Sequence, residues 1–157
     1  MGHVFAEITL KNVYDMGLAS NRHIKEEDVR SLTIKALVDT GATMLSINEE
    51  TRQKLGLKLI GTAPIRIANG TWVTCQVTEP VEIIWKNRFA SFYAYVVPGS
   101  DITLLGIIPL EALDLMVNPN TQELVGVHGD EWSFLAMMSF EECNRGRKKV
   151  SVTFLGG

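Results

Sequence analysis

The sequence predicts an all-β domain, and three features of the chain indicate this class. Most apolar residues fall in short segments that alternate with polar residues or form short buried runs, as strands do. Turn dipeptides such as Asn-Gly, Asn-Pro and Pro-Gly separate these segments. Helical patterns are confined to two short stretches, near residues 49–55 and after Pro109. We therefore expect a β-rich domain with one or two short helices.

The composition is that of an ordinary globular domain. Of 157 residues, 46% are hydrophobic and 21% are charged, which is enough apolar material for one core. The net charge of −3 provides no basic field, so neither nucleic acid nor an anionic membrane is expected as a partner. Residues 1–138 are predicted to form the domain, and residues 139–157 a polar C-terminal tail that is either mobile or part of a dimer interface.

No membrane segment or cofactor is expected. The apolar stretch 102–113 is interrupted by Gly106, Pro109 and Glu111 and falls short of the roughly 20 residues that cross a bilayer. The N-terminus lacks the basic and long apolar regions of a secretory signal, so a cytoplasmic location is expected.

The cysteines and histidines do not form a metal-binding pattern. Cys75 and Cys143 make no Cys-x-x-Cys pair, and His3, His23 and His128 are scattered. We therefore expect neither a disulfide framework nor a metal.

The first half of the chain is predicted to carry two long strands. Residues 4–10 form a strand, and the polar residues 12–30 a surface hairpin loop. The strand over 29–39 ends at Asp39 and places four apolar residues on one face: Leu32, Ile34, Ala36 and Val38. Asn48 is a good N-cap for the short helix at 49–55, and Gly56 ends it.

The second half is predicted to consist mainly of hairpins. Residues 64–77 form a hairpin whose Asn69-Gly70 turn is typical of type I′. Strands follow at 80–85, 89–97 and 102–106, and a short helix with Pro109 in its first turn ends near Asp114. Another hairpin spans 115–127, and residues 132–138 are a candidate last strand.

One turn carries a pattern with chemical meaning, Asp39-Thr40-Gly41. A buried strand that ends in an acid, a hydroxyl residue and a glycine holds a carboxylate where the backbone turns sharply. A carboxylate suits general acid–base chemistry, but one carboxylate cannot act as acid and base at the same time. A second carboxylate is therefore needed.

Four segments together carry a resemblance to a known family. They are Leu-Val-Asp-Thr-Gly-Ala-Thr at 37–43, Lys-Leu-Gly-Leu at 54–57, Ala-Asn-Gly at 68–70, and Leu-Leu-Gly-Ile-Ile-Pro-Leu-Glu-Ala-Leu-Asp at 104–114. With them the sequence resembles the retroviral-type, or retropepsin-like, aspartic proteases of clan AA, and more closely their bacterial and archaeal members. The resemblance covers roughly residues 29–125.

The resemblance implies a fold, a partner and a reaction. The fold is a closed, mostly antiparallel β-barrel with a flap hairpin. The partner is a second copy of the chain, because only one Asp-Thr-Gly occurs and a catalytic pair of Asp39 residues requires a two-fold axis. The reaction is hydrolysis of a peptide or protein substrate by a water held between the two carboxylates.

The resemblance also assigns roles to individual residues. Asp39 is the catalytic acid, while Thr40 and Gly41 support it. Ala42 and the flap tip contact substrate, the tip being Ile67, Ala68, Asn69, Gly70 and Thr71. Some relatives carry Ser where Ala42 stands, and the missing hydroxyl favours activity nearer neutral pH. Gly106 is expected to let the backbone of 104–106 pack closely under the Asp39 turn.

Two other classes of protein are alternatives. A sugar-kinase-like ATP-binding fold needs a longer chain and glycine-rich phosphate loops that the sequence lacks. The second alternative is a catalytically inactive dimeric module that binds peptides on the same scaffold. The intact Asp-Thr-Gly argues against this hypothesis. Either 132–138 or 150–155 could add a strand to the dimer, and the sequence does not choose between them.

Overall fold

The computed structural model describes residues 2–129, which form short strands with few helices. Their order along the chain is β1 (Val4–Asn12), α1 (Val13–Ser20), a 3₁₀ turn (Glu26–Asp28), β2 (Ser31–Val38), β3 (Leu45–Ile47), α2 (Glu49–Lys54), β4 (Leu59–Arg66), β5 (Trp72–Thr78), β6 (Val81–Trp85), β7 (Arg88–Phe92), β8 (Ala94–Val96), β9 (Thr103–Leu105), α3 (Ile107–Ala112), β10 (Leu115–Asn118) and β11 (Glu123–Gly126). The predicted strand at 132–138 and the tail at 139–157 lie outside the described residues.

Within residues 2–129 the main sheet is mixed and has nine strands, in the order β4-β5-β8-β3-β9-β2-β1-β6-β7. Most neighbours are antiparallel, but β2 pairs with β9 and β3 with β8 in parallel. The expected closure into a barrel is not found, because within residues 2–129 no pairing joins the outer strands β4 and β7. Alternation along a strand specifies its buried face but not its partner at each edge, so the sequence pattern could not decide closure.

The register of β1 and β2 confirms the predicted core face. Opposite residues pair as Val4 with Val38, Ala6 with Ala36, Ile8 with Ile34 and Leu10 with Leu32. On both strands these residues point to the same side of the sheet. Around them the core is completed by leucine, isoleucine, valine and alanine side chains of β3, β6, β8, β9 and α3.

The segment between β1 and β2 differs from the predicted polar loop, because it contains helix α1. The Asn12 side chain caps this helix, because its Oδ1 atom accepts a bond from Asp15 N at 3.1 Å. Its Nδ2 atom donates to Leu55 O at 2.8 Å. Arg30 holds Asp15 with two bonds of 2.7 and 2.8 Å. Asp15 and Arg30 are thus paired with each other, whereas the charged residues 25–28 are exposed. The protein has three α-helices within residues 2–129 instead of one or two.

The Arg30 contact has an electrostatic consequence. Its hydrogen bonds hold the pKa of Asp15 below its usual range, although burial of the carboxylate acts in the opposite direction. Asp15 is only 4% exposed, so this pair fixes the start of β2 to α1.

A second ion pair fixes the C-terminal hairpin of the described domain. Arg88 is 1% exposed and donates to Leu113 O at 3.0 Å and to Asp114 Oδ2 at 2.8 Å. Asp114 also binds the His128 ring at 2.5 Å. Burial would raise the pKa of Asp114, but the bonds from Arg88 and His128 outweigh it and the pKa is lowered.

The helix α2 follows its predicted signals closely. Asn48 caps it by accepting a bond from Thr51 N at 2.8 Å, and Gly56, just beyond its end, has a φ of +60°. Pro109 lies in the first turn of α3, as predicted.

Candidate active site

Asp39 is the first residue after β2, and its position is set by a strand from far along the chain. The strand β9 lies between β2 and β3, with Leu105 opposite both Val38 and Leu45. Asp39 N donates to Leu105 O at 3.1 Å. The turn from Asp39 to Met44 therefore passes over the end of β9 and is anchored to it.

Gly106 makes this arrangement sterically feasible. A Cβ atom at Gly106 would lie 2.5 Å from Met44 O and 2.7 Å from Met44 N, which is closer than real Cβ contacts. The next two amides close the contact, since Ile107 N donates to Ala42 O at 2.8 Å and Ile108 N to Thr43 O at 3.0 Å. The predicted close packing of residues 104–106 under the Asp39 turn is confirmed.

The Asp39 carboxylate is oriented by the turn itself. Its Oδ1 atom accepts a bond from Gly41 N at 2.9 Å, and its main-chain oxygen accepts one from Ala42 N at 3.1 Å. Within residues 2–129 the Oδ2 atom has no partner, and the residue is partly exposed. One carboxylate oxygen is thus held by the backbone while the other is available.

The other predicted residues of this turn surround the acid. Thr40 and Gly41 are exposed, and Ala42 is half-buried. The Thr40 hydroxyl makes no hydrogen bond to any residue of the described part of the chain. A Cβ on Gly41 would approach Asp39 Oδ1 to 3.1 Å, so any larger residue would crowd the carboxylate.

The predicted flap is present as the hairpin of β4 and β5, hereafter the flap hairpin (residues 59–78), but its turn is of another type. Gly70 has a φ of +85°, whereas Asn69 is not among the residues with positive φ. Ile67 N donates to Thr71 O at 2.9 Å, and Gly70 N to Ile67 O at 2.8 Å. These bonds define a three-residue loop with a glycine bulge, so the predicted type I′ turn is wrong.

Asn69 accounts for the difference in turn type. Its Oδ1 atom accepts a bond from Thr71 N at 2.9 Å. In a two-residue type I′ loop, Thr71 N would donate to the opposite strand. Here it donates to the Asn69 side chain instead, and the loop contains three residues.

The structure brings Asp39, Thr40, Gly41 and Ala42 into one turn but leaves the flap tip in a separate element. Four strand-to-strand steps, through β9, β3 and β8, separate β2 from β5. Within residues 2–129, the hydrogen bonds of the tip all stay inside the flap hairpin. The roles predicted for the tip are therefore not tested by these contacts.

Leu37 and Leu104, for which the sequence analysis predicted no substrate contact, lie on the two strands that end at the Asp39 turn. Leu37 is opposite Leu104 in the parallel pair of β2 and β9, and both are partly exposed on the face away from the core. The signal was available, because Leu37 is two residues before Asp39 and alternation along β2 excludes it from the face of Ala36 and Val38.

A surface cavity of about 390 Å³ lies elsewhere. Phe5, Leu32, Ile34 and Ile102 contribute apolar side chains to it, and Asp39 does not line it. Asp39 lies outside this cavity and is partly exposed.

Within residues 2–129, no group of three or more His, Cys, Asp or Glu residues could hold a metal ion. No helix in that range is both long and apolar enough to cross a membrane. Cys75 is buried in β5, and burial raises the pKa of its thiol.

Comparison with known proteins adds an independent finding. The chain is similar in structure to a retropepsin-like aspartic protease from Rickettsia conorii, with 22% sequence identity, a TM-score of 0.49, and coverage of 74% of this chain and 77% of that one. Among curated proteins the comparison found no match. A family model described as aspartyl protease matches residues 27–108, more than half of the chain, and this range contains both the Asp39 turn and the flap hairpin. The chain therefore belongs to the aspartyl protease family.

Proposed function

We propose that the protein is an aspartic endopeptidase in which a homodimer holds one water between two Asp39 carboxylates. The observation that carries this proposal is the state of Asp39. Its Oδ1 atom is fixed by Gly41 N, its main chain is anchored to β9, and within the described residues its Oδ2 atom is unbonded. A carboxylate that is held on one side and open on the other suits proton transfer to and from a water.

Dimerisation follows from the need for a second carboxylate. The sequence contains a single Asp-Thr-Gly, and a two-fold axis beside Asp39 would supply the second acid from the partner. The partial exposure of Asp39 in one chain agrees with a cleft that forms only between two chains. The Thr40 hydroxyl, unpaired within residues 2–129, is available to bond across the same axis.

The reaction then needs no covalent intermediate. Two carboxylates about 3 Å apart share one proton, because both cannot be ionised cheaply. The ionised Asp39 takes a proton from the water, which attacks the peptide carbonyl, while the protonated Asp39 gives its proton to the forming oxyanion. The roles reverse when the amine leaves.

The flap tip is proposed to bind the substrate main chain. At the tip, Gly70 N is already bonded to Ile67 O, whereas the amides of Ala68 and Asn69 have no partner within residues 2–129. We therefore assign substrate hydrogen bonding to Ala68 and Asn69, with Ile67, Gly70 and Thr71 shaping the turn. Ala42 is proposed to line the cleft beside the acid.

The decisive experiment compares two aspartate variants on a peptide library. Asp39→Asn should lower peptide hydrolysis by about 10²- to 10⁴-fold, because it removes the groups that exchange protons. Asp101→Asn removes an exposed carboxylate outside the Asp39 turn and should leave hydrolysis unchanged. Wild-type hydrolysis should also be blocked by a statine-type inhibitor.

Solution mass provides the second half of this test. Equilibrium sedimentation should show a dimer for the wild type and for Asp39→Asn alike. A strictly monomeric protein that still cleaves peptides would contradict the shared-water mechanism. A dimer that binds peptides without cleaving them would favour the inactive binding module. The cytoplasmic location stays a prediction.

A further inference from the structure

The flap hairpin carries a single charged residue, and that residue is at its tip. Across residues 59–78 the only charge is Arg66, the last residue of β4. It lies directly opposite Trp72, which is 66% exposed. Among the described residues Arg66 has no ion-pair partner, so its guanidinium is not explained by a salt bridge.

The guanidinium is bonded to the turn. Arg66 Nε donates to Gly70 O at 3.2 Å, and a Cβ atom at Gly70 would lie 3.5 Å from Arg66 Nη2. Thr71 N, which would complete a regular closing pair, is bonded to Asn69 Oδ1 instead. The glycine bulge thus leaves the Gly70 carbonyl outside the ladder, and Arg66 satisfies it.

The turn leaves two main-chain amides of the tip without a bond, next to the residue that Arg66 holds. Gly70 uses its N–H on Ile67 O and its carbonyl on Arg66, so both of its polar groups are occupied. The adjacent amides of Ala68 and Asn69 are unbonded within residues 2–129. Loss of the Arg66 bond would free the Gly70 carbonyl and remove one of the restraints on the turn.

We infer that Arg66 is a positioning residue of the flap, which braces the Gly70 carbonyl and so keeps the Ala68 and Asn69 amides oriented toward substrate. Its effect on catalysis depends on the proposed function. Arginine suits the role better than lysine, because the guanidinium is planar and directs its Nε–H from a fixed position, whereas an ammonium group is a mobile point charge. Arg66 does not contact the reacting atoms; it acts through the turn.

The test uses two Arg66 variants and one matched control in the full-length protein. Arg66→Met removes the bond and the charge, and Arg66→Lys keeps only the charge. Lys25→Met removes one exposed charge outside the flap hairpin, so it matches the charge change. Backbone amide order parameters for residues 67–71 are measured by NMR for all four proteins, together with kcat and KM on one cleaved peptide.

The expected result separates geometry from charge. Arg66→Met should lower the order parameters of the tip and raise KM by about 2- to 10-fold with a smaller change in kcat, the range expected for one exposed hydrogen bond. Arg66→Lys should resemble Arg66→Met, and Lys25→Met should resemble the wild type. Full rescue by Arg66→Lys, or a tip whose order and KM are unchanged in Arg66→Met, would overturn the inference.

Failure of the proposed function is distinguishable from failure of the inference about Arg66. If wild-type protein cleaves no peptide, the protease proposal fails, and the order parameters alone decide whether Arg66 braces the tip. If the tip loosens in Arg66→Met but KM does not change, the functional half of the inference is wrong even though the bond exists.

Discussion

The Asp39 turn and the flap tip are both tight turns at strand ends, but they are held in opposite ways. The Asp39 turn is bonded to Leu105, Ile107 and Ile108, more than sixty residues away in sequence. The flap tip is bonded only within residues 66–71 among the described residues. The acid is thus positioned by the folded sheet, whereas the tip is positioned by its own sequence. A proposed site that needs one fixed acid and one closing element gains from this difference.

The largest effect is expected where the Asp39 turn depends on close packing. Gly106→Ala places a methyl group against the Met44 backbone, which cannot move without displacing the Asp39 turn, so we expect a loss of about 3–5 kcal/mol in the free energy of unfolding or failure to fold. The matched control is Gly17→Ala in α1, where no atom lies within 4 Å and helix propensity favours alanine by about 0.5–1 kcal/mol. Urea titrations measure both, and a Gly106→Ala protein as stable as the wild type would contradict the close approach.

A smaller effect is expected from lowering the pH. It should weaken the Asp15–Arg30 pair, which joins distant parts of the chain, while the flap tip stays ordered. The folded pKa of Asp15 is lowered by its bonds from Arg30, so its contribution is present above about pH 4 and is lost as the pH falls through the folded pKa. Asp15→Asn should cost about 1–3 kcal/mol near neutral pH, and the difference from the wild type should shrink as the pH falls below about 4.

The measurement is the urea midpoint of both proteins from about pH 7 to about pH 2. Asp101→Asn, which removes an exposed carboxylate, is the control and should follow the wild-type curve. No Asp, Glu or His lies within the flap hairpin, so amide order at its tip should stay constant while the protein remains folded. A difference between Asp15→Asn and wild type that does not depend on pH would show that the Arg30 bonds do not lower the pKa of Asp15.

The smallest effect is expected at the flap tip. Gly70→Ala imposes a side chain on a φ of +85°, which costs about 1–2 kcal/mol, but the strain can be relieved by local opening of the turn. We therefore expect a loss of tip order with a change in global stability of at most about 1–2 kcal/mol. Gly61→Ala in β4 of the same hairpin, with nothing within 4 Å of the added atom, should leave both unchanged. Equal effects of Gly70→Ala and Gly61→Ala would contradict the expectation that the positive φ of Gly70 makes the tip sensitive to a side chain.

Much of the fold could be predicted because it is encoded locally. Alternation in 31–38 gave the correct buried face of β2, and Asn48 and Gly56 bounded α2 as expected. The predicted polar loop over 12–30 is wrong for residues 13–20, which form α1, because the Asp15–Arg30 pair that holds this helix joins residues distant in sequence. Residues 25–28 are exposed, as predicted. The predicted type of the flap turn is wrong because the Asn69 side chain accepts a bond from Thr71 N in place of a ladder bond. The dipeptide Asn-Gly alone does not indicate this bond.

The sequence by itself determined that a carboxylate follows a buried strand, that a glycine-bearing hairpin follows it, and that the chain resembles aspartic proteases. These features depend on neighbours a few residues apart, where steric preference and alternation are decisive. Only the tertiary structure decided that β9 lies between β2 and β3, that the main sheet is mixed, and that Leu104 lies opposite Leu37. Those outcomes depend on pairing between strands that are distant in sequence, and the free energy of that pairing is a sum over the whole sheet that no short segment contains.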